Sequence, residues 1–408
     1  MKTASAPVVP RSFSALLAAL AMIGPFSIDT YLPAFPAIGA SLGASQLEVQ
    51  QTLTAFMVPF AFMMLWHGAL SDALGRRSVI LWGLAVYVLA SLFCVFATRI
   101  EYLWIGRALQ GLSCGVGMVV SRAIVRDLLD GPDAQRMMAR ISIMFAIAPA
   151  IAPIIGGWIH AFFDWHAIFV FMAIFGAVVW VATLLRLPET LPPENRQSLH
   201  PLHLWHSYVS VFSHGEFMRL SASMALNFNA MFLYVLSAPA FLIRHLGVSP
   251  QGFAWLFGPG VGGMVIGAFL SGQLAGRLSP RRTIALGCVI MSLAAAGNLA
   301  MNLLMPAQLP WAILPFPLYN IGLAMAMPSM QLLALDLFPE KRGLASSCQG
   351  TVQTATNALT AAVLAPLLWG TPLTLALGMA GFLSLGLIIF AIALWYYRAP
   401  TTKGQDWS

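Results

Sequence analysis

The sequence predicts an all-α membrane protein with twelve transmembrane helices in two six-helix bundles and both termini in the cytoplasm. Three observations support this prediction: the composition, the division into long apolar segments, and the placement of the basic residues. Of the 408 residues, 59% are hydrophobic and only 9% are charged. So few charges cannot cover the surface of a soluble protein of this length, and intrinsic disorder needs the opposite composition.

The apolar segments are long enough to cross a membrane. A spanning helix needs about 20 mainly apolar residues, and helix breakers and charge clusters divide this chain into twelve such segments. The predicted segments are residues 12–37, 46–70, 78–98, 101–127, 137–162, 166–187, 217–243, 250–276, 282–304, 309–337, 343–369 and 373–398. The first is interpreted as a permanent helix, because its apolar run is longer than that of a signal peptide.

The longest polar stretch, residues 188–216, lies between the sixth and seventh segments. It predicts a linker between two bundles. The expected regions are a first bundle at residues 1–187, a cytoplasmic linker at 188–216, a second bundle at 217–398 and a cytoplasmic tail at 399–408. The histidines of the linker are loosely spaced and no thiol joins them, so we expect a solvated linker against the membrane surface rather than a metal site.

Basic residues give the orientation. An even number of helices places both termini on one side, and that side carries every Lys and Arg except Arg99, Arg107 and Arg244. The positive-inside rule therefore predicts cytoplasmic termini, in the inner membrane of a bacterium. The net charge of +7 reflects this topology, and no nucleic-acid partner is expected.

An internal repeat supports the two bundles. Residues 68–74 resemble residues 272–278, half a chain length later, and both copies are followed by arginines. Each copy lies in the predicted cytoplasmic loop after the second helix of its half. The chain therefore reads as two related six-helix units.

The first copy of the repeat is also a candidate functional loop. Its characteristic residues are Gly68, Asp72, Gly75, Arg76 and Arg77. An acid at the membrane surface can accept hydrogen bonds at a neighbouring helix N-terminus and can pair with basic residues, so we interpret the loop as a latch between the bundles. A basic loop that only orients the protein would explain the arginines, but not Asp72 or the glycines.

Two ionisable residues lie well inside predicted membrane segments. An ionisable side chain at bilayer depth costs several kcal/mol unless it is paired or faces water, so such a residue is a functional candidate. Asp29 is the one such acid and is interpreted as a proton carrier; the alternative is a carboxylate that caps the first helix and reaches headgroup water. Arg107 either takes part in coupling or binds backbone carbonyls as a structural tie.

The fifth segment contains prolines four residues apart, followed by a pair of glycines. These residues are Pro149, Pro153, Gly156 and Gly157. Proline bends a helix, and glycine lets another helix approach closely. The pattern predicts a bent, tightly packed interface that controls leakage between the two halves; ordinary small-residue packing is the alternative.

The second half contains amides where the first has charges. Amides and aromatic rings beside a methionine-rich apolar wall suit an adaptable pocket for amphipathic molecules, although any one of them can instead be bundle core. The candidate cavity residues are Tyr31, Asn227, Asn229, Phe232, Tyr234, Gln349 and Gln353. Gln349 and Gln353 share one helix face at i, i+4 spacing.

Taken together, these motifs resemble the major facilitator superfamily. The loop matches at Gly68, Asp72, Gly75, Arg76 and Arg77 but has Ala73 where an arginine is common. A fourth-helix motif matches at Arg107, Gln110 and Gly111. In the fifth segment Ala152 stands where a glycine usually precedes the proline; with residues 27–36, this resembles the Bcr/CflA branch of drug–proton antiporters.

The resemblance implies the major facilitator fold and an activity. It implies proton-coupled secondary active transport that exports small amphipathic drugs by alternating access, with Asp29 and Arg107 in coupling. The expected partners are a small-molecule substrate, protons and the lipid bilayer, in a monomer without metal or cofactor. No Walker A pattern is present, so ATP-driven transport is not expected.

Two other functions remain open. One is proton-coupled export of a metabolite such as an amino acid, a peptide or a sugar. The other is a polytopic membrane enzyme, which would group His, Asp or Glu at one membrane face near a reacting group. The outer histidines have only Asp164 nearby, so the pattern favours a transporter and not an enzyme.

Overall fold

The structure is a computed structural model that describes residues 11–129, 131–196, 201–274, 277–339 and 342–398. Within these ranges the chain is helical and contains no β-strand. The helices of the first half are α1 Arg11–Asp29, α2 Phe35–Leu42, α3 Gln46–Leu74, α4 Arg76–Val95, α5 Ile100–Leu128, α6 Gly131–Phe162 and α7 His166–Arg186.

The predicted linker contains a helix of its own, and the second half follows it. These helices are α8 Pro201–Phe212, α9 Gly215–Leu236, α10 Ala254–Leu274, α11 Pro280–Leu304, α12 Pro315–Asp336, α13 Arg342–Leu359, α14 Ala365–Leu368 and α15 Pro372–Arg398. Short π-helical segments, Pro239–His245 and Thr360–Leu364, follow α9 and α13. The predicted tail at residues 399–408 lies outside the described residues.

Each of the twelve predicted segments corresponds to a helix, but they are not equally apolar. Among the described residues, nine helices are long and apolar enough to cross a membrane, or ten if α9 and the π-helical segment bent 43° from it form one span. The remaining two are α6, where the stretch Ile147–Phe162 is the part that the described side chains show to be apolar, and α13, which carries many Ser, Thr, Gln and Asn residues. The count of twelve crossings and the cytoplasmic termini stay predictions.

The first segment is broken near its predicted functional residue. Helix α1 ends at Asp29, a 3₁₀ turn follows at Leu32–Ala34, and α2 begins at Phe35. Pro33 fixes its own φ and supplies no N–H, so the α-helical ladder cannot continue through it. Asp29 therefore lies at the end of a regular helix and still inside the folded bundle.

Close helix contacts assemble the first half around α5. A Cβ added at Gly111 would collide with the carbonyl oxygen of Phe56 in α3, and one at Gly117 with that of Leu20 in α1. Only glycine permits such approaches, as at the small-residue interfaces typical of membrane helices. The two halves meet where α3 packs against α13 and where α6 packs against α10.

Candidate functional site

Asp29 is buried without a partner. Its side chain is only 3% exposed, and its Oδ1 is sealed from solvent with no hydrogen bond. No ion pair or hydrogen bond reaches the carboxyl group from any residue in the described ranges. A buried, unpaired carboxylate is costly, so this geometry favours the neutral acid.

Arg107 is fully buried and lies between two aromatic rings instead of beside an acid. Its guanidinium carbon is 4.4 Å from the ring centroid of Tyr31 and 4.4 Å from that of Phe56. The hydroxyl groups of Tyr31 and Thr52 are hydrogen-bonded at 2.9 Å, which holds the first ring. Cation–π contacts of a desolvated guanidinium are worth about 2 kcal/mol or more, so the rings replace part of the lost hydration.

The fourth-helix motif positions this arginine. Gln110 accepts a hydrogen bond from Nη1 of Arg107 at 2.6 Å and donates one to Ser91 at 2.7 Å. The close approach at Gly111 brings in the backbone of Phe56, whose ring covers the guanidinium. Nε and Nη2 of Arg107 remain without partners, so the site has unused hydrogen-bond donors.

The two glycines of α6 face different halves of the protein. A Cβ added at Gly156 would collide with the carbonyl oxygen of Thr30, next to Asp29. One added at Gly157 would lie 2.5 Å from the carbonyl oxygen of Pro250 in the second half. Pro149 and Pro153 lie inside the same helix. The motif thus packs α6 against both the end of α1 and the other half.

The loop motif forms an ion-pair network in its own half. Arg76 pairs with Asp72, and its Nε donates to Asp127 of α5 at 3.0 Å. Nη2 of Arg77 donates to the carbonyl oxygen of Leu184 at 2.9 Å. Gly75 has φ +97°, a conformation that other residues rarely adopt, while Gly68 makes an ordinary contact with α5. The ion pairs of Asp72 and Arg76 therefore join helices of the first half, not the two bundles.

Two acids outside the five residues predicted for this loop complete the network. Glu189, at the start of the linker, accepts the backbone N–H groups of Arg76 at 2.9 Å and of Thr190 at 3.1 Å. Asp127 accepts the hydroxyl group of Thr190 at 2.9 Å in addition to Arg76. Their position beside arginines at the basic loops was the available signal, but their partners are distant in sequence.

The candidate cavity residues of the second half divide into separate groups. Asn229 and Gln353 both bond Asn357, at 2.9 and 3.0 Å. Asn227 instead lies beside Gly386 of α15, with both of its side-chain polar atoms buried and unpartnered. Asn227 and Asn229, both on α9, therefore point to different neighbouring helices.

The remaining candidates have other neighbours. The hydroxyl group of Tyr234 accepts a hydrogen bond from Asn298 at 2.7 Å, and Gln349 donates to the sulfur of Met224 at 2.8 Å. Phe232 is buried, with its ring centroid 5.6 Å from that of Phe228. Of the predicted cavity residues, the structure brings together only Asn229 and Gln353.

Comparison with known proteins gives consistent matches. The family model "Major Facilitator Superfamily" matches residues 17–361. The Bacillus subtilis protein "Uncharacterized MFS-type transporter YdgK" is 33% identical over 82% of this chain and 84% of its own. The Haemophilus influenzae "Bicyclomycin resistance protein homolog" is 28% identical over 96% of this chain and 98% of its own.

Two further matches agree. The Escherichia coli "Multidrug resistance protein MdtL" is 29% identical over 84% of this chain and 85% of its own. The crystal structure of a D-xylose–proton symporter superposes with a TM-score of 0.70, covering 97% of this chain and 99% of that one at 14% identity. At this identity the symporter shows the shared fold alone.

Proposed function

The chain belongs to the Major Facilitator Superfamily, and from this premise we propose that it exports small amphipathic drugs in exchange for protons. Membership makes the protein a multi-pass membrane transporter and not an enzyme. Relatives named for multidrug and bicyclomycin resistance support drug efflux. We place it in the inner membrane of a bacterium as a monomer with cytoplasmic termini.

The observation that carries proton coupling is the unpaired, buried carboxyl group of Asp29. The neutral acid is favoured in this conformation because no cation or donor compensates a charge. If rocking of the two halves exposes the group to water on one face, it releases its proton there. Alternation between these two environments would couple proton entry to substrate export.

Arg107 supports the same mechanism through its contact with the segment that follows Asp29. One of its two ring contacts is Tyr31, two residues after Asp29, so a movement of this segment changes the environments of both groups. The packing of Gly156 against Thr30 links that segment to α6, which also contacts the second half. We infer that this connection transmits the rocking motion to Asp29.

Export of a metabolite remains the second candidate, because the hydrogen-bonded Asn229, Gln353 and Asn357 are uncharged polar groups that suit a polar metabolite as well as a drug. The deciding experiment measures proton movement in inside-out vesicles upon addition of amphenicols, bicyclomycin, sulfonamides or lipophilic cations. We expect one compound class to release protons from wild-type vesicles. Asp29→Asn should be expressed normally and lose this response, because its amide cannot exchange the proton.

The matched control is Asp164→Asn, which alters an acid that is 63% exposed in its side chain and pairs with His166. It should retain the full proton response. A response unchanged in Asp29→Asn would remove this residue from the coupling mechanism. No response to any compound, with metabolites active in the same vesicles, would favour the metabolite exporter.

A further inference from the structure

Four polar residues between α9 and α13 form a hydrogen-bonded group, here named the amide cluster: Asn229, Gln353, Asn357 and Thr360. Nδ2 of Asn229 donates to the carbonyl oxygen of Ala225 at 2.8 Å and to Oδ1 of Asn357 at 2.9 Å. A backbone carbonyl only accepts hydrogen bonds, so the first contact fixes which end of the Asn229 amide is nitrogen.

This orientation determines the rest of the cluster. Oδ1 of Asn229 accepts the hydroxyl group of Thr360 at 2.7 Å, while Asn357 must turn its own oxygen toward Asn229. Gln353 then donates its Nε2 to the same oxygen of Asn357 at 3.0 Å. Nδ2 of Asn357 and Oε1 of Gln353 are left without a partner among the residues that the structure describes.

The free atoms lie at the boundary between the two halves. On α13, Gly350 faces Met64 of α3, at 3.2 Å from an added Cβ, and further along the chain the carbonyl oxygen of Ala362 accepts from Gln51 at 3.2 Å. Gln353 and Asn357 lie between these contacts, at i+3 and i+7 from Gly350 and therefore on the same helix face. Both side chains are only partly buried, so a ligand between the halves can reach them.

We propose that Asn357 and Gln353 bind a neutral amide group of the transported molecule. Nδ2 of Asn357 would donate to the carbonyl oxygen of the ligand, and Oε1 of Gln353 would accept its N–H. A cis amide, as in a lactam, presents these two groups side by side and satisfies both free atoms at once. The cluster contains no charge, so it favours no ion. This inference rests on the proposed transport of a small molecule between the halves.

Asn229 and Thr360 are positioning residues in this arrangement. They do not face the ligand, but their bonds hold the amide of Asn357 with its nitrogen outward. Thr360→Val removes the hydroxyl group and should reduce amide selectivity, whereas Thr360→Ser keeps the hydroxyl group and should restore it. A merely structural role of Thr360 would alter stability without altering selectivity.

The test compares two neutral probes: cyclo(Leu-Leu), with two cis amides, and its N,N′-dimethyl derivative, in which methyl groups replace the two N–H donors. Binding to purified protein in nanodiscs is measured by isothermal titration calorimetry. We expect the dimethyl derivative to bind at least about tenfold more weakly, because it leaves the oxygen of Gln353 unpaired. Gln353→Met removes that oxygen, and Asn357→Leu removes the hydrogen bond that orients it, so both should abolish this preference, whereas Asn302→Leu, which alters an amide on α11, should keep it.

Equal affinity for both probes, no binding of either, or a preference that survives both substitutions would overturn the proposal. The comparison on the wild-type protein requires no variant, so it stands even where a variant misfolds. Amide selectivity without drug-coupled proton movement would reject the proposed exchange of drugs for protons but would still support the amide-binding site. Proton-coupled drug export without amide selectivity would reject this site alone.

Discussion

A guanidinium can be buried between aromatic rings, and not beside an acid, because its planar shape lets it stack on them. Arg107 has Tyr31 and Phe56 each 4.4 Å from its guanidinium carbon, and its hydrogen bond within the fourth-helix motif is to the neutral Gln110. Arginine stacks on aromatic faces and is weakly hydrated, whereas the lysine ammonium is compact and strongly hydrated. A lysine at this position would carry the same charge but would lose most of the stacking contacts that stabilise the arginine.

We predict that Arg107→Lys lowers export by about tenfold or more and lowers the melting temperature of the purified protein. The physical reason is the loss of about 2 kcal/mol of desolvated cation–π contact. Arg99→Lys is the matched control, because that side chain is 69% exposed and pairs with Glu101. Vesicle transport and a thermal unfolding scan measure both effects, and an Arg107→Lys protein equal to wild type would contradict the stacking argument.

At this scale the sequence identified Asp29 and Arg107 because ionisable residues are rare in apolar segments. It did not identify their surroundings. The rings around Arg107 come from α1 and α3, and the arrangement of α1, α3 and α5 is set by packing at glycines such as Gly111 and Gly117. The separation of Asn227 from Asn229 likewise depends on where α15 and α13 lie, which hydropathy along one helix does not contain.

At the scale of helices, α6 shows how neighbouring residues contact different partners. Successive residues of an α-helix are about 100° apart, so Gly156 and Gly157 face different sides. One packs against Thr30 in the same half, and the other against Pro250 in the second half. A methyl group at the first position disturbs the packing of one bundle, whereas one at the second disturbs the contact between the bundles.

Gly157→Ala should therefore reduce export several-fold while the purified protein remains folded. The added Cβ, 2.5 Å from the carbonyl oxygen of Pro250, disfavours the conformation in which the halves touch here. Gly258→Ala in α10 is the control, since an added Cβ there meets nothing within 4 Å. Transport in vesicles is compared at equal protein amounts, and an effect of Gly157→Ala no larger than that of the control would contradict this role of the interface.

At the scale of the whole molecule, the linker helix connects the halves. α8 packs against α9 and α13 of the second half, and the hydroxyl group of Tyr208 donates to the carbonyl oxygen of Leu65 in α3 at 2.7 Å. Burial raises the pKa of Tyr208 to about 12, so this donor keeps its proton at physiological pH. The sequence predicted a linker at this place but not this bond, because a polar stretch does not specify which groups it packs against.

The sequence also predicts where the helices lie more clearly than it predicts which of them cross the membrane. Segments such as α4 and α7 are almost wholly apolar and are recognised by hydropathy alone. α13 is the critical exception, because it carries the amide cluster and its polarity weakens the signal for a span. A helix of low hydropathy can still cross a bilayer when its polar side faces the other half of the protein and not the lipid.

Residues on either side of α13 test this crossing and the orientation together. In a variant without Cys94, Cys114, Cys288 and Cys348, single cysteines replace Asp336 and Thr371. We expect a membrane-impermeant maleimide to label Thr371→Cys in intact cells, and to label Asp336→Cys only after permeabilisation. The segment between them would then cross the membrane, and the basic end of α12 would face the cytoplasm, as the positive-inside rule requires.

Asp164→Cys and Glu194→Cys are the matched controls, because they flank α7, an apolar helix whose crossing does not depend on α13. They should label from outside and inside, respectively. Labelling of Asp336→Cys and Thr371→Cys from the same side would mean that α13 does not cross. The number of crossings would then be odd, the termini would lie on opposite sides, and the amide cluster would lie outside any central transport path. Labelling of both pairs in the reverse sense would instead keep twelve crossings and overturn the predicted orientation.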